Sequence, residues 1–119
     1  MNEFFEINAI KMILLIVRLF TNKHYRGITI YPFVILTQKE DGRNAVLLNH
    51  EKIHIRQQLE LLVIPFFIWY GLEFLIRFLM YRNWSKAYRN ISFERESYAN
   101  EEDLDYLQQR SFWKWIKYL

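Results

Sequence analysis

Between Leu61 and Met80 the chain runs for twenty residues with only two charges, Glu73 and Arg77, and this run limits what the rest can do. Its length and apolarity suit a helix that crosses a membrane. They suit equally a helix packed on a protein core, or one lying along a bilayer surface. Pro65 should end or kink any helix entering the run, because it removes the hydrogen bond to the carbonyl of Leu61. Glu73 and Arg77 have the i,i+4 spacing, acid first, of a helical ion pair.

What precedes the run narrows the choice. From Asn44 to Ile64 the apolar spacing is helical, with Leu48, Ile55, Leu59 and Leu62 on one stripe. Within it stands His50-Glu51-Lys52-Ile53-His54. Two imidazoles four residues apart leave one face of a helix close enough to share a tetrahedral metal ion. In zinc hydrolases built on this pattern the Glu after the first His does not ligate but accepts a proton from water, the role open to Glu51. Gln57 and Gln58 extend the histidine face by a turn. Gln57 would contact substrate backbone or a ligand carboxylate, or else form a plain polar flank. Without a metal, the motif reduces to two unrelated histidines on a solvated helix.

Downstream, Phe93-Glu94-Arg95-Glu96-Ser97-Tyr98-Ala99-Asn100 resembles the second half of a gluzincin metallopeptidase site, where the third zinc ligand is a Glu within Glu-x-x-Ala-Asp. Glu96, with Ala99 and Asn100 three and four residues on, fits that register, and Glu94 does not. The resemblance implies zinc held by His50, His54 and Glu96. Asn100 would then hold the outer nitrogen of His50 without the charge of the family's Asp. The chain is also similar to a set of very short bacterial proteins that pair His-Glu-x-x-His-x-x-Gln with Tyr-x-Asn-x-x-Phe-Glu-x-Glu. Those elements are His50 to Gln57 here, then Tyr88, Asn90, Phe93, Glu94 and Glu96, and the likeness covers residues 28–110.

These resemblances imply a mainly α (α+β) fold, a zincin-like helical core with one short edge strand or hairpin before the motif helix. They imply a zinc-dependent metallopeptidase acting on a peptide or protein substrate, with Glu51 as general base. Tyr88, Tyr98 and His24 are candidates to steady the oxyanion, and nothing in the sequence selects among them. The alternative is a catalytically weak or inactive zinc scaffold that meets a membrane surface or a protein partner.

Zinc ligation also bears on the apolar run. A single tetrahedral site cannot straddle roughly 30 Å of hydrocarbon, so residues 61–80 cannot make a simple span between His54 and Glu96. The run should instead pack around the zinc helix, with its surplus apolar face on a bilayer or on a second copy in a homo-oligomer.

The other segments are read more simply. Lys11 and Arg18 bracket an N-terminal apolar stretch too short to span a bilayer and lacking a small-residue cleavage site. This argues against a signal peptide and for a helix over Asn8–Phe20, packed on the zinc helix or on a membrane. Ile28 to Gln38 is the clearest strand, and Pro32 makes it an edge strand or a bent pair. An open edge there would bind extended peptide by β-augmentation, or the ribbon would merely cover the core.

Tyr81 to Asn90 reads as a basic, aromatic connector with Arg82, Lys86 and Arg89, suited to phosphate headgroups or simply solvated. Ser92 would cap a helix running to Gln109, with Glu101, Glu102, Asp103 and Asp105 outside. Phe112, Trp115, Ile116 and Leu119 would share the face of a last helix.

A length of 119 residues, 52% apolar, suits one domain over 1–119 with a real core. The absence of cysteine leaves His and carboxylate as the zinc ligands and fits the cytoplasm or the cytoplasmic face of a membrane. A net charge of +3 gives no footprint for nucleic acid. An 18% aromatic content points to an apolar surface that meets something.

Overall fold

The computed structural model describes residues 27–36 and 43–119 in full, and residues 2–7 and 10–16 as backbone strands. Four strands come first: β1 (Asn2–Ile7), β2 (Ile10–Ile16), β3 (Gly27–Ile30) and β4 (Phe33–Leu36). Their order in the sheet is β1-β2-β4-β3, with β2 and β4 parallel and the other neighbours antiparallel. Helices α1 (Ala45–Leu61), α2 (Val63–Tyr81), α3 (Trp84–Arg89), α4 (Ser92–Asn100) and α5 (Tyr106–Gln109) follow, then a 3-10 turn at Lys114–Tyr118.

The helical reading of the N-terminal stretch is corrected for residues 10–16, which form β2; Phe20 lies outside the described residues. Ile10, Ile13 and Ile16 satisfy helical spacing, yet a short apolar run does not declare its period. Pairing with β1 on one side and β4 on the other selects the extended form. The strand expected at Ile28–Gln38 is a hairpin whose turn contains Pro32, where no ladder donor is needed. Its first arm, β3, is an edge of the sheet.

Helix α1 is the centre of the molecule. Asn44 caps it, its side-chain oxygen accepting from Leu47 N at 3.0 Å. Leu48 and Ile55 pack under Val34 and Leu36 of the sheet. Ile53 meets Tyr106 and Leu107 elsewhere on its circumference. The expected apolar stripe holds only in part, because Leu59 and Leu62 are exposed. In their place Asn49, His50, Glu51, His54, Gln57 and Gln58 are all buried. Six polar side chains buried on one helix are tolerable only if each is hydrogen-bonded.

α1 ends at Leu62, whose φ of 63° breaks the helix, and α2 begins at the next residue. Pro65 therefore falls in the first turn of α2, where its missing N–H has no partner to lose. From Tyr81 the chain turns back. Asn83 caps α3, an element read from sequence as a connector, and Trp84 packs on Phe74 and Phe78 of α2.

α4 starts at Ser92, which is its first helical residue rather than its cap. The carboxylate of Glu73 supplies the cap from α2, accepting from Ser92 N at 3.0 Å and from Ser92 Oγ. Glu73 is thereby aimed at α4 instead of at Arg77. Phe93 joins Phe66, Ile91 and Trp115 in a second apolar cluster.

The single helix expected over Ser92–Gln109 is two, α4 and α5. Glu101, Glu102, Asp103 and Asp105 crowd negative charge at the C-terminal end of α4, where the helix dipole opposes it. Asn49 Nδ2 takes up the released carbonyls of Asn100, Glu101 and Asp103 at 2.8–3.3 Å. Of the four residues expected on one face of a final helix, only Trp115 is buried.

Candidate metal centre

The i,i+4 spacing on α1 brings the two imidazoles together, with His54 Nε2 3.1 Å from His50 Nε2. The first turn of α4 adds Glu94 Oε1, 3.1 Å from each of them. The three atoms form a near-equilateral triangle of nitrogen, nitrogen and carboxylate oxygen, and all three residues are buried.

Each is held from behind. His54 Nδ1 lies 2.8 Å from Gln57 Oε1, so an N–H at Nδ1 leaves the Nε2 lone pair facing the triangle. Tyr70 of α2 donates its hydroxyl to Glu94 Oε2 at 2.7 Å, which turns Oε1 inward. Glu101 Oε1 stands 3.7 Å from His50 Nδ1, and the ring of Tyr98 lies edge-on to that imidazole with centroids 4.5 Å apart.

The third ligand is thus Glu94, and the expectation for Glu96 is corrected. Two residues on a helix turn the side chain by about 200°, so the two glutamates face opposite ways. Glu96 accepts from Gln57 Nε2 at 3.0 Å, from Tyr106 at 2.6 Å and from Arg110 Nη2 at 3.1 Å, with Arg110 Nε on its other oxygen. Arg110 also forks onto Glu60, at 2.6 and 3.0 Å. Burial alone would lower the pKa of Arg110, but Glu96 and Glu60 raise it, and the guanidinium stays charged between them.

A chain of contacts therefore runs from Arg110 through Glu96 and Gln57 to His54. Glu96 supports the histidine from behind and does not join it. Asn100 is corrected likewise: its Nδ2 donates to Glu96 O at 2.8 Å and Tyr118 OH at 3.0 Å, and the acidic neighbour of His50 is Glu101.

The electrostatics follow from this packing. Burial pushes the His54 pKa down, but the charge and hydrogen bond of Glu94, helped by Glu51 and Gln57, outweigh it and raise His54 to about 9. Burial likewise pushes Glu94 up, and the two histidines more than reverse that, holding it well below the ordinary carboxylate range. A metal-free triangle thus keeps one proton on His54. Where that proton sits, a divalent cation finds two imidazoles and a carboxylate already gathered. Ligand atoms around tetrahedral zinc lie about 3.3 Å apart, so the triangle is within a few tenths of an ångström of what the ion requires.

Glu51, one residue round from His50, faces the edge strand. Its Oε2 accepts from the hydroxyl of Thr29, and a Cβ placed on Gly27 would come within 3.1 Å of its Oε1. Gln58 clasps the same strand, donating to Thr29 O and accepting from Tyr31 N, both at 2.7 Å. The two glutamines are therefore not a polar flank: one orients a ligand and the other docks β3 on α1.

Two cavities open on either side of Glu51. One, of about 500 Å³, is bounded by Thr29, Glu51, His54, Tyr70, Phe74 and Glu94 among others. The other, of about 220 Å³, is bounded by His50, Glu51, Tyr98 and Glu101 among others. Gly27 and Tyr88 border both. Burial and the charge of Glu94 raise the Tyr88 pKa far above that of a free phenol, so its hydroxyl keeps the proton. Tyr98 stands 3.4 Å from Tyr88 through the hydroxyls. His24 lies outside the described residues.

Of the contributors, Tyr70, Thr29, Glu101 and Arg110 had no signal in the sequence. Glu94 had one: Ser97, three residues on, is as small as Ala99 is after Glu96, and its Oγ sits 3.4 Å from both His50 O and His54 Nδ1.

Taken together, His50-Glu51-x-x-His54 on one helix and Glu94 on a later one match the zinc-binding signature of the gluzincins and make a structurally sound His-His-Glu zinc triad. No protein-family model, curated protein or solved structure matches the chain. The class is accordingly defined by the site itself, a zinc metallopeptidase-like centre in a mainly helical protein.

Proposed function

We propose that this chain, as one domain, is a zinc-dependent peptidase in which His50, His54 and Glu94 hold the metal and Glu51 moves the proton. The observation that carries the reading is the triangle of 3.1 Å contacts, with Gln57 and Tyr70 fixing two of its corners from outside. When bound there, zinc supplies Lewis-acid polarisation of a scissile carbonyl and acidifies a water.

The protein's own residues do the rest. Thr29 holds Glu51 Oε2, which presents the carboxylate to the boundary of the two cavities. Glu51 takes a proton from the attacking water and delivers it to the leaving amine nitrogen as the C–N bond breaks. Tyr88, which borders both cavities and keeps its proton, would donate to charge developing on the carbonyl oxygen. Tyr98 positions His50. A peptide substrate pairs with β3 at its Gly27 end, since Gln58 already occupies Thr29 O and Tyr31 N. Separately from the chemistry, we place the protein in the cytoplasm or at the cytoplasmic face of a membrane, with no nucleic-acid partner.

One observation favours a scaffold without turnover: Glu51 is buried and already bonded to Thr29. Metal analysis and peptide-library turnover on wild type and three variants decide between them. Wild type should hold one zinc, Glu94→Gln should lose it, and Glu96→Gln should keep it with weakened affinity. Glu51→Gln should keep zinc and lose turnover. A wild type that takes up no zinc, or a Glu94→Gln protein that binds it as tightly, would falsify the site. Zinc without any Glu51-dependent turnover would establish the scaffold.

A further inference from the structure

Two features of α2 are unused by the reaction above. Its inner face, through Phe66, Phe67, Tyr70 and Phe74, walls the larger cavity beside the zinc triad. The helix as a whole is long and apolar enough to cross a membrane, and only 11% of its apolar window is buried. Ile64, Ile68, Leu72, Leu75, Ile76 and Leu79 are each at least 50% exposed. The faces meet at Gly71, which borders the cavity, is itself exposed, and has nothing within 4 Å of where a Cβ would stand. The aromatic wall of the site thus includes one residue with no side chain, beside open space.

The helix does not pass through a bilayer away from the site. Tyr70 is tied to Glu94 and Glu73 to Ser92, so the triad sits at its mid-length and α3 runs back along it. Charge indicates what covers the face. Between Val63 and Arg89 the exposed charges are Arg82, Lys86 and Arg89, all basic, with Arg89 lying 3.7 Å over the ring of Tyr98, while the one acid, Glu73, is buried. Lys86 lies 4.5 Å over the ring of Tyr81, a cation and an aromatic together at the end of the apolar face, as suits a lipid interface. Among the described residues, the exposed acids Glu102, Asp103 and Asp105 belong to the loop held by Asn49. A second copy would bring no carboxylate on this face to those cations; anionic headgroups would.

We propose that α2 lies along an anionic bilayer by this face, and that the site's substrates are polypeptide segments held in or on that bilayer. One bulky apolar side chain enters the larger cavity past Gly71. The substrate half rests on the peptidase reading; the membrane half does not.

Flotation of the zinc-loaded chain with phosphatidylcholine–phosphatidylglycerol vesicles, against phosphatidylcholine alone, tests the surface. Wild type should float with the anionic vesicles, and the Leu72→Glu/Ile76→Glu double variant should stay at the bottom with its zinc intact. Failure of wild type to float overturns the proposal. So does a dimer in solution that the double variant dissociates.

For the pocket, Gly71→Trp sets a large ring at the opening from a Cβ that meets no protein atom, and Gly71→Ala adds that Cβ alone. Quenched-fluorescent peptides tethered to the same vesicles, with Phe or Ala beside the cleaved bond, are the probes. Gly71→Trp should slow cleavage of the Phe peptide by about tenfold or more, the worth of burying such a side chain, and spare the Ala peptide. Gly71→Ala should slow the Phe peptide far less than Gly71→Trp does. Binding of the Phe peptide to Glu51→Gln protein, read by anisotropy, should weaken equally when Gly71→Trp is added, whether or not turnover exists. Unchanged binding sinks the pocket assignment alone. Cleavage that survives Glu51→Gln sinks the peptidase reading and leaves the flotation result standing.

Discussion

Replacing Gln57 by Leu isolates the part of the site that acts without touching the metal. Gln57 is fully buried and makes three contacts: it faces His54 Nδ1 through Oε1 and donates Nε2 to Phe93 O and Glu96 Oε1. Leucine keeps the volume and removes all three. Glu96 retains Tyr106 and Arg110, so its loss is partial. His54 Nδ1 keeps only the 3.4 Å contact with Ser97, and Phe93 O loses its side-chain donor. Two buried groups left short of partners cost about 1–3 kcal/mol each, so the metal-free protein should lose about 2–6 kcal/mol of stability.

Zinc binding should suffer separately, because the imidazole is no longer held in the tautomer that presents Nε2. Loss of such an outer partner typically weakens a metal site by about 10–100-fold, which is about 1.4–2.7 kcal/mol. Competition against a chromophoric chelator measures the second quantity and urea unfolding in chelator the first. A Gln57→Leu protein that unfolds more easily but binds zinc within about threefold of wild type would refute the orienting role, since pure destabilisation leaves the affinity of the folded site alone.

Three other outcomes follow from the geometry. With metal removed, the raised pKa of His54 gives stability that is fully present below pH 6.5 and lost as the pH climbs through about 9, while Glu94's depressed pKa gives stability present above about 4.5 and lost in acid. Melting in chelator should therefore fall between pH 6.5 and 9 while zinc affinity rises over the same range, one proton leaving per ion; parallel trends would be inconsistent with a shared position for proton and metal. Arg110→Ala strands two buried carboxylates and should cost about 3–5 kcal/mol in urea unfolding, with a cost below about 1 kcal/mol ruling out the network. Gly27→Val places carbon 3.0 Å from Leu36 Cδ2 and 3.1 Å from Glu51 Oε1, so it should cut turnover by shifting Glu51 yet leave zinc content unchanged; undiminished turnover would show that Glu51 does not work from this position.

The metal helix was legible because its information is local: Asn44 caps it, and four residues fix the azimuth between His50 and His54. Pro32 likewise placed the hairpin turn. The third ligand was not legible, because Glu94 and Glu96 differ by a rotation of α4 that is decided elsewhere, by Arg110, Tyr106 and Gln57 drawing Glu96 to the opposite side. β2 escaped notice for a related reason, since its partners lie at Asn2–Ile7 and Phe33–Leu36 and no feature of its own seven residues names them. The tolerance of α1 for six buried polar residues could not be read in advance either, as the partners come from β3, α4 and the loop after it.

Leu62 alone joins the ligand-bearing helix to the apolar one, in a left-handed conformation that a leucine adopts only under constraint from both sides. There is consequently no slack between them. Tyr70, two turns along α2 from Leu62, grips the Glu94 carboxylate, so a tilt of α2 about that junction would bear on the triad. Whatever the outer surface rests on thus has mechanical purchase on the geometry of the ion.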